Sequence, residues 1–133
     1  MGRSIPTRWE RLEPWLLDAL RDALDVSVDT VKPADLKPYK GIVIAAYLGQ
    51  RVTPISRYAR IGIQGWSVNN AGQPNRPDAQ RLVLAAAEAL EELDPDGEPL
   101  LAAELDTGPD IVNDDISGID FAYGVVLAEI HAS

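Results

Sequence analysis

His131 is the only histidine in these 133 residues, and there is no cysteine. Those two counts bound the chemistry. A Ser–His–Asp relay needs an imidazole held between an acid and a nucleophile, and a residue two positions from the end of the sequence is poorly placed for that. Thiolate nucleophiles, zinc–thiolate sites and disulfides are excluded by composition. The densest set of potential ligands is acidic: Asp106, Asp110, Asp114 and Asp115, with Asn113 between them. Clustered carboxylates can hold a hard cation such as calcium. Their spacing departs from the EF-hand loop, however, and acidic turns are ordinarily just solvated. No carboxylate pair stands out as the acid and base of a glycosidase. There is no glycine-rich phosphate loop, and Gly62 and Gly65 fall inside a strand, where they mark close backbone approach or a bulge. The residues therefore point away from an enzyme and supply no set of cofactor or metal ligands.

The elements that would position these side chains are legible from periodicity. Ala59, Ile61 and Ile63 alternate with Tyr58, Arg60, Gln64 and Trp66, the period-2 pattern of a half-buried strand over Ser56–Ser67. An Asn/Gly/Pro loop leads into Pro77–Leu93, where Ala79, Leu82, Val83, Ala86, Leu90 and Leu93 form one helical stripe. That stripe packs on the face carrying Ile61 and Ile63. Tyr58, Arg60, Gln64 and Trp66, with Tyr47 from the neighbouring strand, are left on the far face. A Tyr and a Trp on an open sheet face suggest a partner subunit more than a pocket.

Upstream, Thr7–Glu10 has the form of a capping box, and Pro14 opens a helix on which Trp15, Leu16, Ala19, Leu20, Ala23 and Leu24 recur. Trp9 and Trp15 read as core or interface residues. Val26–Val31 is a short strand and Lys32–Lys40 a Pro/Lys loop. Gly41–Leu48 is a strand apolar on both faces, joined to the next strand by a long connection, Gln50–Ile55. Asp94–Gly97 is a stop signal. Pro99–Leu105 is a modest strand, Asp106–Gly118 a long acidic loop and Ile119–His131 the longest strand. This order predicts one α+β domain over residues 1–133, with an N-terminal arm or short helix over 1–13. Its sheet is mainly antiparallel, with four or five strands and the two main helices packed on one face. A chain of this length can bury a core without a metal or crosslink. No apolar run reaches membrane-spanning length, and Met1–Arg11 lacks the apolar segment of a signal peptide.

The net charge of −9 hides a division along the chain. Residues 1–81 hold all twelve Lys and Arg against eight acids, a net +4, whereas residues 82–133 hold thirteen acids and no base. The division fits either solvated acidic loops or a polar subunit suited to stacked or head-to-tail assembly. Tight duplex DNA binding is disfavoured, because no Lys/Arg cluster is dense enough to neutralise many phosphates.

The sequence resembles the tail terminator (tail-completion) proteins of long-tailed bacteriophages and prophages. The resemblance rests on the helix Trp15–Leu24, the strand Tyr58–Trp66 running into the Ala-rich helix Ala79–Leu93, and the Gly108-Pro109 acidic segment to Gly118. An aromatic last strand, Phe121–Ile130, completes it. It covers about residues 12–131 and is one of architecture, with no invariant catalytic motif. It implies a non-enzymatic virion protein without cofactors, located at the head-proximal end of the tail and assembled in the host cytoplasm. Such proteins form a ring, typically a hexamer, that caps the tail tube, stops its growth and docks the head–tail connector or stopper. Genomic DNA passes through without specific binding. On this reading Tyr47, Tyr58, Arg60, Gln64 and Trp66 meet a second subunit or the tube. Asp106, Asp110, Asp114, Asp115 and Asp120 would line the lumen or meet a partner ring. Two alternatives stay open: another neck or connector component, and a small acidic protein-binding module of immunity or adaptor type.

Overall fold

The computed structural model describes residues 12–53, 56–92 and 100–131; the capping box at Thr7–Glu10 and the stop signal at Asp94–Gly97 lie outside them. Helix α1 (Leu12–Ala23) buries Leu12, Leu16 and Leu20, one residue per turn, and holds Pro14 in its first turn. There the missing proline N–H removes no helical hydrogen bond. Glu13 accepts from the Ala46 backbone N–H at 3.1 Å, tying the helix start to the sheet. Near the other end, Arg21 donates to Val28 O at 2.9 Å and pairs with Asp29 at 3.2 Å.

Those last two residues belong to β1 (Ser27–Asp29), a short strand parallel to β2 (Tyr39–Thr53). Strand β2 forms a long antiparallel hairpin with β3 (Ser56–Val68), so the connection is far shorter than the expected Gln50–Ile55. Helix α2 (Arg76–Glu91) follows, capped by Asn75, whose side-chain oxygen accepts from the Asp78 N–H at 3.1 Å. Strands β4 (Leu100–Asn113) and β5 (Asp120–His131) complete an α+β domain. The sheet order is β1-β2-β3-β5-β4, antiparallel except at β1.

Both helices pack on one face of this sheet. Leu16, Leu20, Leu82, Val83 and Leu90 meet Ile42, Ile44, Ile61, Ile63 and Val126 in a single core, with Leu24 and Trp15 at its margin. Gly65 is what lets α2 sit so low. A Cβ there would lie 2.3 Å from Ala79 O and 2.9 Å from a Val83 methyl.

The expected acidic loop Asp106–Gly118 is mostly strand: β4 continues to Asn113, and only Asp114–Gly118 turns. Its Asp, Gly and Pro residues disfavour an interior strand, but β4 lies at the sheet edge, where bulges and proline are tolerated. Register shifts fall between Leu105 and Thr107 and between Thr107 and Asp110. Gly108 sits in the second of these at φ +83°, where a Cβ would come within 2.5 Å of Tyr123 O. Two side chains of α2 reach the same strand. Glu91 accepts from the Leu105 N–H at 3.0 Å, and Gln80 donates to Pro109 O at 3.1 Å.

Candidate interaction face

The sheet face turned away from the helices carries the expected residues. Pairing of Gly41 with Trp66, Val43 with Gln64, Ala45 with Gly62 and Tyr47 with Arg60 puts Tyr47, Tyr58, Arg60, Gln64 and Trp66 on that one face. The face has two different halves.

At one end, Trp66 is 1% exposed, so it is a core residue and not part of an open surface. It stacks on Phe121, with ring centroids 4.5 Å apart and planes 16° from parallel. Leu36, Val43, Val68 and Ile119 complete this second apolar cluster, flanked by Tyr39 and Tyr123. The segment between β1 and β2 supplies the cover, through Leu36 and through the Lys32 ammonium, which lies 5.6 Å from the Trp66 ring centroid. Gln64 serves the same cluster by accepting from the indole N–H at 3.0 Å. Alternation assigned the face correctly; the cover was missed because it comes from a Pro/Lys segment with Leu36 its only large aliphatic side chain between Lys32 and Lys40.

Lys32 is fixed by Asp114, whose carboxylate accepts from Nζ at 2.8 Å. The same carboxylate accepts from Ser117 Oγ at 2.6 Å and Ser117 N–H at 3.0 Å. These hydrogen bonds, led by the one from Lys32, lower the Asp114 pKa to about 2. Asp120 accepts from Asn113 at 2.8 Å and from two guanidinium nitrogens of Arg76 at 2.8 and 2.7 Å. The Asn113 and Arg76 hydrogen bonds lower its pKa as well. Asp106 pairs loosely with Arg60 at 3.4 Å, while Asp110 and Asp115 are exposed. The five acids are thus spread over a strand, a turn and a strand start. Among the described residues, no three His, Cys, Asp or Glu side chains converge as metal ligands.

The other end of the face is open. Tyr47 is 60% exposed and Tyr58 41%. The Arg60 side chain is 61% exposed beside them. Leu127 and Val125 of β5 lie half-buried between Arg60 and the edge strand, and Glu129 and Glu104 stand opposite Tyr58 and Leu127 respectively. Gly62 leaves a depression that the Tyr123 hydroxyl fills, 2.6 Å from where a Cβ would be.

One polar cluster gave no sequence signal beyond an acid in the first turn of a helix. Asp78, 8% exposed, accepts from Ser67 Oγ at 2.6 Å and pairs with Lys40 at 3.1 Å and with Arg81. It pins the start of α2 to β2 and β3. A hollow of about 530 Å³ beside it is lined by Lys40, Ser67, Asn75 and Arg76. Both cations there are already held, by Asp78 and Asp120, so the hollow offers no free charge to an anion. Near β1, the Tyr39 hydroxyl is buried without a hydrogen-bond partner. Burial, and then the charge of Asp29, push its pKa up.

No protein-family model matches this chain, and no curated protein matches it.

Proposed function

We propose that this chain is a structural subunit of a phage-type tail: a terminator that assembles as a ring on the finished tube, stops its growth and presents a docking surface to the head. One observation carries the reading from the molecule itself. A five-stranded sheet, stiffened by helices on one side, leaves Tyr47, Tyr58 and Arg60 uncovered on the other. Exposed tyrosines on a rigid sheet are suited to a protein contact, since they bring large area with little side-chain entropy to lose. Trp66 no longer belongs to that contact. The succession of elements over residues 12–131 supports the same reading through its resemblance to tail terminators.

The test is direct. Tail tube protein polymerised with this chain should give tubes bearing a ring at one end by negative-stain microscopy, with growth arrested. Tubes that keep lengthening, with no end density, would exclude the proposal. A tight one-to-one complex with a basic protein, in place of a ring, would favour the binding-module alternative.

A further inference from the structure

The segment that covers Trp66 is held to the sheet by side chains. Among the described residues, no backbone–backbone hydrogen bond involves residues 31–37, and none of the seven lies in a helix or strand. Pro33 has no N–H to give, and the Lys37 N–H turns to the Asp35 carboxylate within the segment, at 3.0 Å. Leu36 is buried, whereas Val31 and Ala34 are exposed. The Lys37 stem rests against Gly72, where a Cβ would come within 2.8 Å of Lys37 Cε. The remaining hold is the Lys32 ammonium, 2.8 Å from the Asp114 carboxylate. The two sides of that ion pair differ. Asp114 belongs to a turn closed by backbone bonds, from its own N–H to Ile119 O at 3.0 Å and from the Gly118 N–H to Asp114 O at 2.7 Å. Lys32 belongs to a segment with no such bond.

We infer that residues 31–37 form a strap that lifts from the sheet as a unit, with the Lys32–Asp114 pair as its catch. Local opening costs the buried apolar contacts and the backbone hydrogen bonds that it breaks. Here it breaks one ion pair and withdraws one large aliphatic side chain, and the ladder beneath stays whole: Val43 remains paired with Gln64, and Gly65 with Ala122. Lifting takes Leu36 and the Lys32 ammonium away from the Trp66 ring. The half of the face that holds Trp66, Phe121 and Val43 then meets solvent and runs on into the half that carries Tyr47 and Tyr58. The strap is a built-in cover for half of the face, and its action does not depend on the terminator reading.

The absence of cysteine makes thiol labelling of the full chain the direct test. Leu36→Cys reports lifting of the strap, and Val83→Cys, fully buried in the helix-side core, reports unfolding of the whole domain. Leu36→Cys should react with a thiol reagent about 100-fold faster or more. Adding Asp114→Asn should speed its labelling about tenfold, whereas Asp115→Asn, at the exposed neighbour, should leave the rate unchanged. Leu36→Cys shortens the side chain under test, so the unaltered chain supplies a second reading. Its Trp66 indole N–H should exchange with deuterium faster, after correction for intrinsic rates, than the Ile61 and Ile63 amides at the sheet centre. Equal labelling of the two cysteines, or indole exchange as slow as that of the sheet amides, would each overturn the inference. A labelling rate indifferent to Asp114→Asn would overturn the role of the ion pair as the catch.

Discussion

Trp66 is the residue whose role differs most from its position in the sequence pattern. Its indole is enclosed by Phe121, Leu36 and Val43, with its N–H satisfied by Gln64. Trp66→Ala should therefore destabilise the fold by about 3–5 kcal/mol, read from denaturant unfolding. A change within about 0.5 kcal/mol would mean the ring is not packed as described. Asp114 acts on the same cluster from outside, by holding Lys32 over the indole. Its carboxyl titrates at about 2 in the fold, against about 3.9 in an unfolded chain. A depressed folded value means the stabilisation is complete above the unfolded pKa and is lost as pH falls from about 4 to about 2. The denaturation midpoint should drop across that window, and Asp114→Asn should flatten the drop. An unchanged acid limb in the variant would show that Lys32 is held by other contacts.

At the scale of elements, legibility followed the locality of the signal. Helix α2 could be read because its stripe repeats over four turns, and every member within the described helix is buried. Strand β3 could be read because its alternation is unbroken from Tyr58 to Trp66. Strand β4 could not be read beyond Leu105, because Asp106, Gly108, Pro109 and Asp110 are turn formers in isolation. Only pairing with β5, set by contacts distant in sequence, makes them strand. The fit of α2 on the sheet gives a test at this scale. Gly65→Ala forces a methyl against the Ala79 carbonyl, with backbone on both sides of the clash, and should cost about 1–3 kcal/mol. Leu90→Ala empties the same layer and should cost about 2–5 kcal/mol. Thermal unfolding of both variants would check the pair, and an unshifted Gly65→Ala transition would mean that α2 can ride higher without loss.

At the scale of the molecule, the division of charge along the sequence is bridged, among the described residues, by ion pairs. Lys32 meets Asp114, Arg60 meets Asp106 and Arg76 meets Asp120. Each pair joins the base-containing first part of the chain to the base-free second part. What remains outside is a surplus of carboxylate, consistent with a molecule that shuns phosphate. Composition alone could not show this, because pairing between distant segments depends on the β5–β4 return. The exposed tyrosines can then be tested apart from the fold. Tyr47→Ser with Tyr58→Ser should leave unfolding within about 1 kcal/mol, since each site is exposed. The same variant should lose tube capping in negative stain. Full capping by it would move the contact elsewhere on the surface.

The edge of β4 bears on how this chain stays apart from its own copies at high concentration. Fourteen residues of outermost strand would ordinarily be a template on which another chain could crystallise its own backbone, and repetition of that step makes a fibre. Here the register slips at Thr107, proline removes a donor at position 109, and Glu91 and Gln80 occupy an amide and a carbonyl that a newcomer would need. A chain with this edge is thereby denied the cheapest way to polymerise with itself.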